Sequence, residues 1–151
     1  MSEVRRINNQ LRRAFAGEAW HGPSLMELLA DVQAERAARK PIAGAHSIWE
    51  LVLHIAFWEE VSRLRAEGDD TEYQDEDGLF TVTDSSEEAW QEAIEKLKSA
   101  NEALRQTIAK LDDSQLDDLV AGQEYSIYFM LHGCIQHNLY HAGQIALLKK
   151  M

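Results

Sequence analysis

The chain has 151 residues, of which 45% are hydrophobic and 27% are charged, a composition typical of one globular domain. Lys and Arg number 15 while Asp and Glu number 26, so the formal net charge is −11. This charge argues against nucleic acids and anionic membrane surfaces as partners, because both are bound largely through Lys and Arg. We therefore expect a single domain over residues 1–151 that binds neither nucleic acid nor membrane.

Cysteine content and the first residues bear on the cellular location. Cys134 is the single cysteine, so no internal disulfide can form, which fits a reducing compartment. The opening MSEVRRINNQLRRAFAG lacks the continuous apolar segment of a signal peptide. No stretch approaches the ~18 apolar residues that a bilayer-spanning helix needs. We expect a cytoplasmic protein.

The sequence predicts four long helices and one short one, taken here in chain order. The first covers EVRRINNQLRRAF, where apolar residues recur at helical spacing, namely Val4, Ile7, Leu11 and Phe15. After the break at WHGP, Ser24 and Glu27 have the spacing of a capping box, in which each side chain satisfies a free backbone N–H. This pair predicts a short extra helix near residues 24–35.

The remaining three long helices are predicted by similar signals. Ser47 and Glu50 form a second capping-box pair at the start of an apolar stretch. An acidic, glycine-containing segment follows, which we expect to be a solvated loop with LFTVT as an extended piece. A third pair, Ser85 and Glu88, predicts the start of the next helix, and the last helix is predicted to begin near Ser126. Four such helices predict an all-α four-helix bundle with at least one crossover connection.

Two histidines lie on the apolar face of the last predicted helix. Steps of three and four residues from Ile127 lead through Cys134 to His137 and His141. Residues four apart project from nearly the same side of a helix, so both imidazoles can point at one spot. Burial removes water from both imidazoles, and nothing compensates this loss of hydration unless the rings gain another partner. A divalent cation between them would bind the lone pairs of both rings.

A third histidine lies on the second long helix. In WELVLHIAFW, His54 shares the apolar side with Leu51 and Trp58. Because a bundle brings apolar faces together, His54 is the natural third ligand of a metal held by His137 and His141. A single histidine on such a face is more often a hydrogen-bonded core residue, but three of them on two facing helices favour a metal site.

Other side chains are candidates for the surroundings of that site. Gln144 lies one turn beyond His141 and could orient a ligand or substrate. Trp58 and Tyr140 could wall a pocket, although core packing is the commoner role for a residue such as Trp58. His21 could line the mouth of a pocket, but a surface turn is the more frequent setting for WHGP. Cys134 is expected to be a small buried side chain and not a ligand.

The same residues resemble a known family. One histidine in the middle of the second long helix, followed by H-x-x-x-H and GQI in the last, resembles the DinB-like (DNA-damage-inducible) superfamily. The stretches AWHGPSL, HSIWELVLHIAFW and HNLYHAGQIALLKK are similar to one of its bacterial subgroups. The resemblance implies a four-helix bundle of up-down-down-up course, a homodimer, and a divalent metal, most often zinc or nickel, on His54, His137 and His141.

Two functions follow from the resemblance. Characterised relatives use a low-molecular-weight thiol such as bacillithiol, mycothiol or glutathione, so this chain could be a metal-dependent thiol S-transferase acting on small electrophiles. The alternative is a metal-stabilised stress-response or binding module without turnover. The fourth coordination position distinguishes the two, because a protein carboxylate or Cys134 there would indicate a structural metal, and an open position would favour chemistry.

Overall fold

The computed structural model describes residues 1–151, and its regular elements are helices with no β-strand. The six α-helices are α1 (Glu3–Ala16), α2 (Leu25–Leu29), α3 (Ala34–Ala38), α4 (Ile48–Ala66), α5 (Glu87–Ile108) and α6 (Ile127–Leu148). Short 3-10 turns cover Asp75–Gly78 and Asp113–Gln115. The four long helices confirm the predicted all-α bundle, while LFTVT is irregular coil. No helix has the length and apolar content that crossing a bilayer would require.

Hydrogen bonds at the helix starts test the capping predictions. The boxes at Ser24 and Ser47 are both present, with reciprocal side-chain to backbone bonds. The third prediction was one residue early, since the N-cap of α5 is Ser86 and not Ser85. The Ser86 hydroxyl accepts from the Ala89 N–H at 3.2 Å, while Asp84 accepts from the Ser86 N–H at 2.9 Å.

The short helix predicted near residues 24–35 is in fact two helices, α2 and α3. Side chains of α5 form hydrogen bonds with the backbone between α2 and α3. The Trp90 indole N–H donates to the Val32 carbonyl at 2.7 Å, and the Glu87 carboxylate accepts from the Ala34 N–H at 2.8 Å. Because these backbone groups bond to α5, they are not available to continue a helix through the break.

The relative direction of the helices follows from contacts at their ends. Near the starts of α4 and α5, the rings of Trp49 and Trp90 lie 5.2 Å apart. Near their ends, the Thr107 hydroxyl donates to the Glu67 carboxylate at 2.6 Å. The starts of α4 and α5 therefore lie together, and so do their ends. The two helices are parallel, and the connection over residues 67–86 is the expected crossover.

The other two long helices run the opposite way. At the end of α4, the Arg65 guanidinium donates to the hydroxyl of Tyr125, which lies just before α6 begins. At the start of α1, the Glu3 and Val4 N–H groups donate to the carboxylate of Asp113, which lies just after α5 ends. Both pairs are antiparallel, and the course is up-down-down-up, as the family resemblance implied.

The interior consists of two apolar clusters with a polar layer between them. The first cluster is built around Trp90, Leu97 and Ile145, and the second around Leu11, Leu104 and Leu131. Between the parts of α4, α5 and α6 that belong to these clusters lie buried polar residues, of which Glu59, Asn101 and Asn138 form one hydrogen-bonded group.

The corrected cap of α5 makes a test of the local structure. We expect Ser86→Ala to lower the free energy of unfolding by about 1 kcal/mol, because it leaves the Ala89 N–H without its acceptor. Ser85→Ala is the matched control and should change it by less than about 0.5 kcal/mol. Urea denaturation of both variants measures the difference. A larger loss in Ser85→Ala than in Ser86→Ala would contradict the assigned helix start.

Candidate metal centre

The three histidines singled out by the sequence lie together between α4 and α6. His54 projects from α4, while His137 and His141 project one turn apart from α6. The Nε2 atom of His137 lies 3.0 Å from Nε2 of His54 and 3.1 Å from Nε2 of His141. All three ligand atoms fall within 4.8 Å of one another, and the cluster includes no carboxylate or thiol.

Two of the imidazoles are oriented by hydrogen bonds at their other nitrogen. Nδ1 of His54 donates to the Gly78 carbonyl at 2.7 Å, and Nδ1 of His141 donates to the Gln144 side-chain oxygen at 2.6 Å. A neutral imidazole has one N–H, so both rings carry their lone pair on Nε2, facing the cluster. Metal-ligating histidines characteristically have such an outer partner, which fixes the tautomer and the ring direction.

The donor set fits a divalent cation better than it fits a hydrogen-bonded trio. The lone pairs of His54 and His141 both face Nε2 of His137. That atom carries at most one proton, which can bond well to only one of the two neighbours. The lone pair of the other neighbour would then face a nitrogen that has no proton left to donate to it. A cation at the focus would accept all three lone pairs at once.

The protonation states favour ligation. Burial lowers the pKa of His137 to about 3, with His141 and His54 as additional causes. Burial also lowers the pKa of His141, against the opposing effect of its hydrogen bond to Gln144. Both rings are therefore neutral near pH 7 and need not lose a proton before they bind a metal.

A cavity of 250 Å³ opens beside the cluster and is lined by side chains from α4, α6 and the loop before α5. Its wall includes His54 and His141, together with the pocket candidates Gln144 and Tyr140. Tyr140 is 67% exposed, and its ring lies 5.1 Å from that of His141. Gln144 lines the cavity and also accepts the hydrogen bond from His141.

The other candidates lie elsewhere. The Trp58 ring packs edge-on against His54 with centroids 6.4 Å apart, and it is not part of the cavity wall. His21 is exposed and lines a separate cavity of 720 Å³ between the α2–α3 region and α6, so it does not face the histidine cluster. Cys134 is buried and lies outside the cluster.

Three features of the site were missed by sequence reasoning. His46 and Glu50 both line the cavity, with His46 Nδ1 lying 3.4 Å from a Glu50 oxygen that α4 also uses for its capping box. Glu50 lies one turn before His54 on α4 and His46 lies just before that helix begins, and these positions were an available signal. The Gly78 carbonyl had no signal in the sequence, because a backbone acceptor in a loop does not require a particular side chain.

Comparison with known proteins adds a family match. The family model described as the DinB superfamily matches residues 19–145, which is most of the chain and includes all three histidines. No curated protein and no solved structure matches the chain.

Gly78 offers a test of how His54 is held. A Cβ at this position would collide with the Trp58 indole nitrogen and lie 3.2 Å from His54 Nδ1. We expect Gly78→Ala to lower the free energy of unfolding by about 1–3 kcal/mol and to remove the His54 Nδ1–H hydrogen bond, because the loop must move away. Denaturation and imidazole ¹⁵N NMR measure the two effects.

The control for this variant is Gly133→Ala, because a Cβ at Gly133 in α6 would meet nothing within 4 Å. It should be neutral or stabilising, since Ala is the better helix former. Wild-type stability and an intact His54 Nδ1–H signal in Gly78→Ala would show that the loop does not orient this imidazole.

Proposed function

The chain belongs to the DinB superfamily, and from this membership and the histidine cluster we propose that it binds one divalent metal ion per chain. His54, His137 and His141 would be the ligands, each through Nε2. The observation that carries the proposal is the convergence of three Nε2 atoms, two of which have their lone pairs fixed inward by bonds to Gly78 and Gln144.

Zinc and nickel are the ions that we propose. Imidazole nitrogens suit zinc, nickel, copper and iron, whereas magnesium and calcium prefer oxygen donors. Three neutral histidines leave the charge of the ion uncompensated by the protein. The absence of a carboxylate or thiol from the cluster supports an open coordination position of the kind found in catalytic zinc sites.

We propose further that the site is a thiol S-transferase that joins a low-molecular-weight thiol to a small electrophile. A divalent ion bound there would lower the pKa of a coordinated thiol or water and so supply a nucleophile at neutral pH. Gln144 would keep His141 in its ligating tautomer. Tyr140 and Phe80, which line the 250 Å³ cavity, would exclude water and position the reactive carbon.

His46 would serve as proton acceptor in this scheme. It lines the same cavity and is the imidazole there that lies outside the cluster. Glu50, at 3.4 Å, would orient the ring, as a carboxylate does for a histidine base.

The second candidate is a metal-stabilised binding module without turnover. Its support is that Glu50, the carboxylate of the cavity wall, is already engaged by Lys40 at 2.7 Å and by its own capping box. A base so committed is a poor proton acceptor, which leaves His46 alone in that role. The two candidates share the metal and differ in whether a thiol reacts.

Metal content tests the first step. We expect the purified protein, loaded with zinc or nickel and desalted, to retain one ion per chain by mass spectrometry of the metal. His137→Ala should retain none, because two histidines remain and the central nitrogen is lost. His132→Ala is the matched control on the same helix and should keep its metal. Full occupancy in His137→Ala would refute the assigned ligand set.

Thiol conjugation tests the second step. We expect metal-loaded protein to accelerate the reaction of monochlorobimane with glutathione, bacillithiol or mycothiol by at least about 100-fold over the metal-free protein, a typical gain from an activated nucleophile. His54→Ala should behave like the metal-free protein. Equal rates in all three preparations with every thiol, alongside normal metal content, would favour the binding module.

A further inference from the structure

The polar layer between the two apolar clusters contains a carboxyl group with no exposure to solvent. Glu59 on α4 is 0% exposed, and its neighbours Asn101 on α5 and Asn138 on α6 are each at most 2% exposed. None of the ion pairs of the protein includes Glu59, and it lies outside the histidine cluster. A buried carboxylate without a cation is costly, so this position requires an explanation.

The hydrogen bonds of this layer leave two oxygens unsatisfied. Glu59 Oε1 accepts from the Asn101 side-chain amide at 2.8 Å and from the Asn138 side-chain amide at 2.7 Å. Glu59 Oε2 and Asn138 Oδ1 are both buried and have no partner. Both orphans are acceptors, and they belong to two side chains that already share one hydrogen bond. One proton on Oε2 is a donor that would satisfy both.

We propose that Glu59 is a neutral carboxylic acid in the folded protein, donating from Oε2 to Asn138 Oδ1, and that this acid–amide pair is a proton-dependent brace between α4 and α6. An acid and a primary amide form two complementary hydrogen bonds in a ring, and one of the two is already present. The third bond, from Asn101, ties the pair to α5.

The surroundings of Glu59 agree with a neutral group. Burial raises the pKa of Glu59 to about 7, against the lowering effect of the bonds from Asn101 and Asn138. The titratable group that faces it from α6 is Cys134, whose own pKa is raised by burial and by Glu59. From α5 it meets the uncharged Asn101. None of these neighbours supplies a positive charge that would stabilise the ionised form.

The brace lies where it can position the proposed metal ligands, and this step rests on the proposed function. Asn138 follows His137 directly on α6, and Glu59 lies five residues after His54 on α4. The pair therefore fixes the register of the two helices whose imidazoles must meet. Glu59 is a positioning residue in this account, because it does not belong to the cluster itself.

The pH dependence follows from the raised pKa. A carboxyl group whose pKa is higher in the folded than in the unfolded chain stabilises the fold at low pH, and this contribution is lost as pH rises through the folded value. Ionisation of Glu59 would remove the donor of the ring and leave a buried charge. Gln is the mimic of the neutral acid, because its amide presents an acceptor oxygen beside a donor nitrogen at every pH.

The experiment uses metal-free full-length protein, so that it does not depend on metal binding. Infrared spectra at about pH 6 should contain the carbonyl band of a buried carboxylic acid, absent from Glu59→Gln and present in the control Glu60→Gln. The folding equilibrium constant of wild type relative to Glu59→Gln should fall about tenfold between about pH 6 and pH 8.5. The folding equilibrium constant of wild type relative to Glu60→Gln should change less than about twofold over the same pH range, because Glu60 is half exposed.

Positioning is read from the imidazoles themselves. The ¹⁵N shifts of His137 and His141 in the metal-free protein should change between about pH 7 and pH 8.5 in wild type and in Glu60→Gln, and stay constant in Glu59→Gln. Zinc affinity should likewise change over this pH range in wild type and in Glu60→Gln, and stay constant in Glu59→Gln. A missing acid band, or an equal pH dependence of wild type and Glu59→Gln, would overturn the neutral carboxyl. An acid band with imidazole shifts insensitive to Glu59 would overturn the positioning role. Failure of wild type to bind zinc would refute the proposed function alone.

Discussion

The convergence of three imidazole nitrogens on one point is the constraint on which the rest of the structure depends. His54 and the His137–His141 pair belong to helices far apart in sequence, so their rings meet only if α4 and α6 keep a fixed register and rotation. Outer hydrogen bonds add a second requirement, since the loop that carries Gly78 must return to α4. The long connection over residues 67–86 thus both makes the crossover of the bundle and closes the site.

Apolar packing alone would not define that register. A cluster of Leu and Ile side chains tolerates sliding better than a set of directional bonds does, because burial depends on area and hydrogen bonds depend on geometry. The polar layer of Glu59, Asn101 and Asn138 separates two such clusters. A shift by one turn would place Glu59 among aliphatic side chains. The layer therefore specifies the alignment that the histidines need, at some cost in stability.

Much of the fold and part of the site could be predicted from local patterns. The histidines at spacings of four on an apolar stripe and the capping boxes at Ser24 and Ser47 are local signals, and the structure has the corresponding helices. The Ser85–Ser86 ambiguity arose because adjacent serines offer two registers, and the choice depends on which hydroxyl reaches a free N–H.

The long-range contacts were harder to predict. Glu59 continues the stripe of Leu51 and Ile55 at steps of four, so its burial was detectable, but its amide partners come from other helices. The Gly78 carbonyl left no sequence signal, because only the fold brings it to His54.

Burial acts on the two kinds of titratable group in opposite directions and favours the uncharged form of each. It lowers the pKa of His137 to about 3 and raises the pKa of Glu59 to about 7, so this imidazole is neutral at pH 7 and a large share of the Glu59 carboxyl groups stays protonated. A divalent ion on three neutral histidines would keep its full charge, with no protein anion in the cluster to offset it. The natural counter-charge is then an exogenous anion entering through the cavity. At that short range the ion outweighs the net charge of −11, which is spread over the surface and screened by salt. In the proposed transferase, that anion would be the thiolate of the low-molecular-weight thiol.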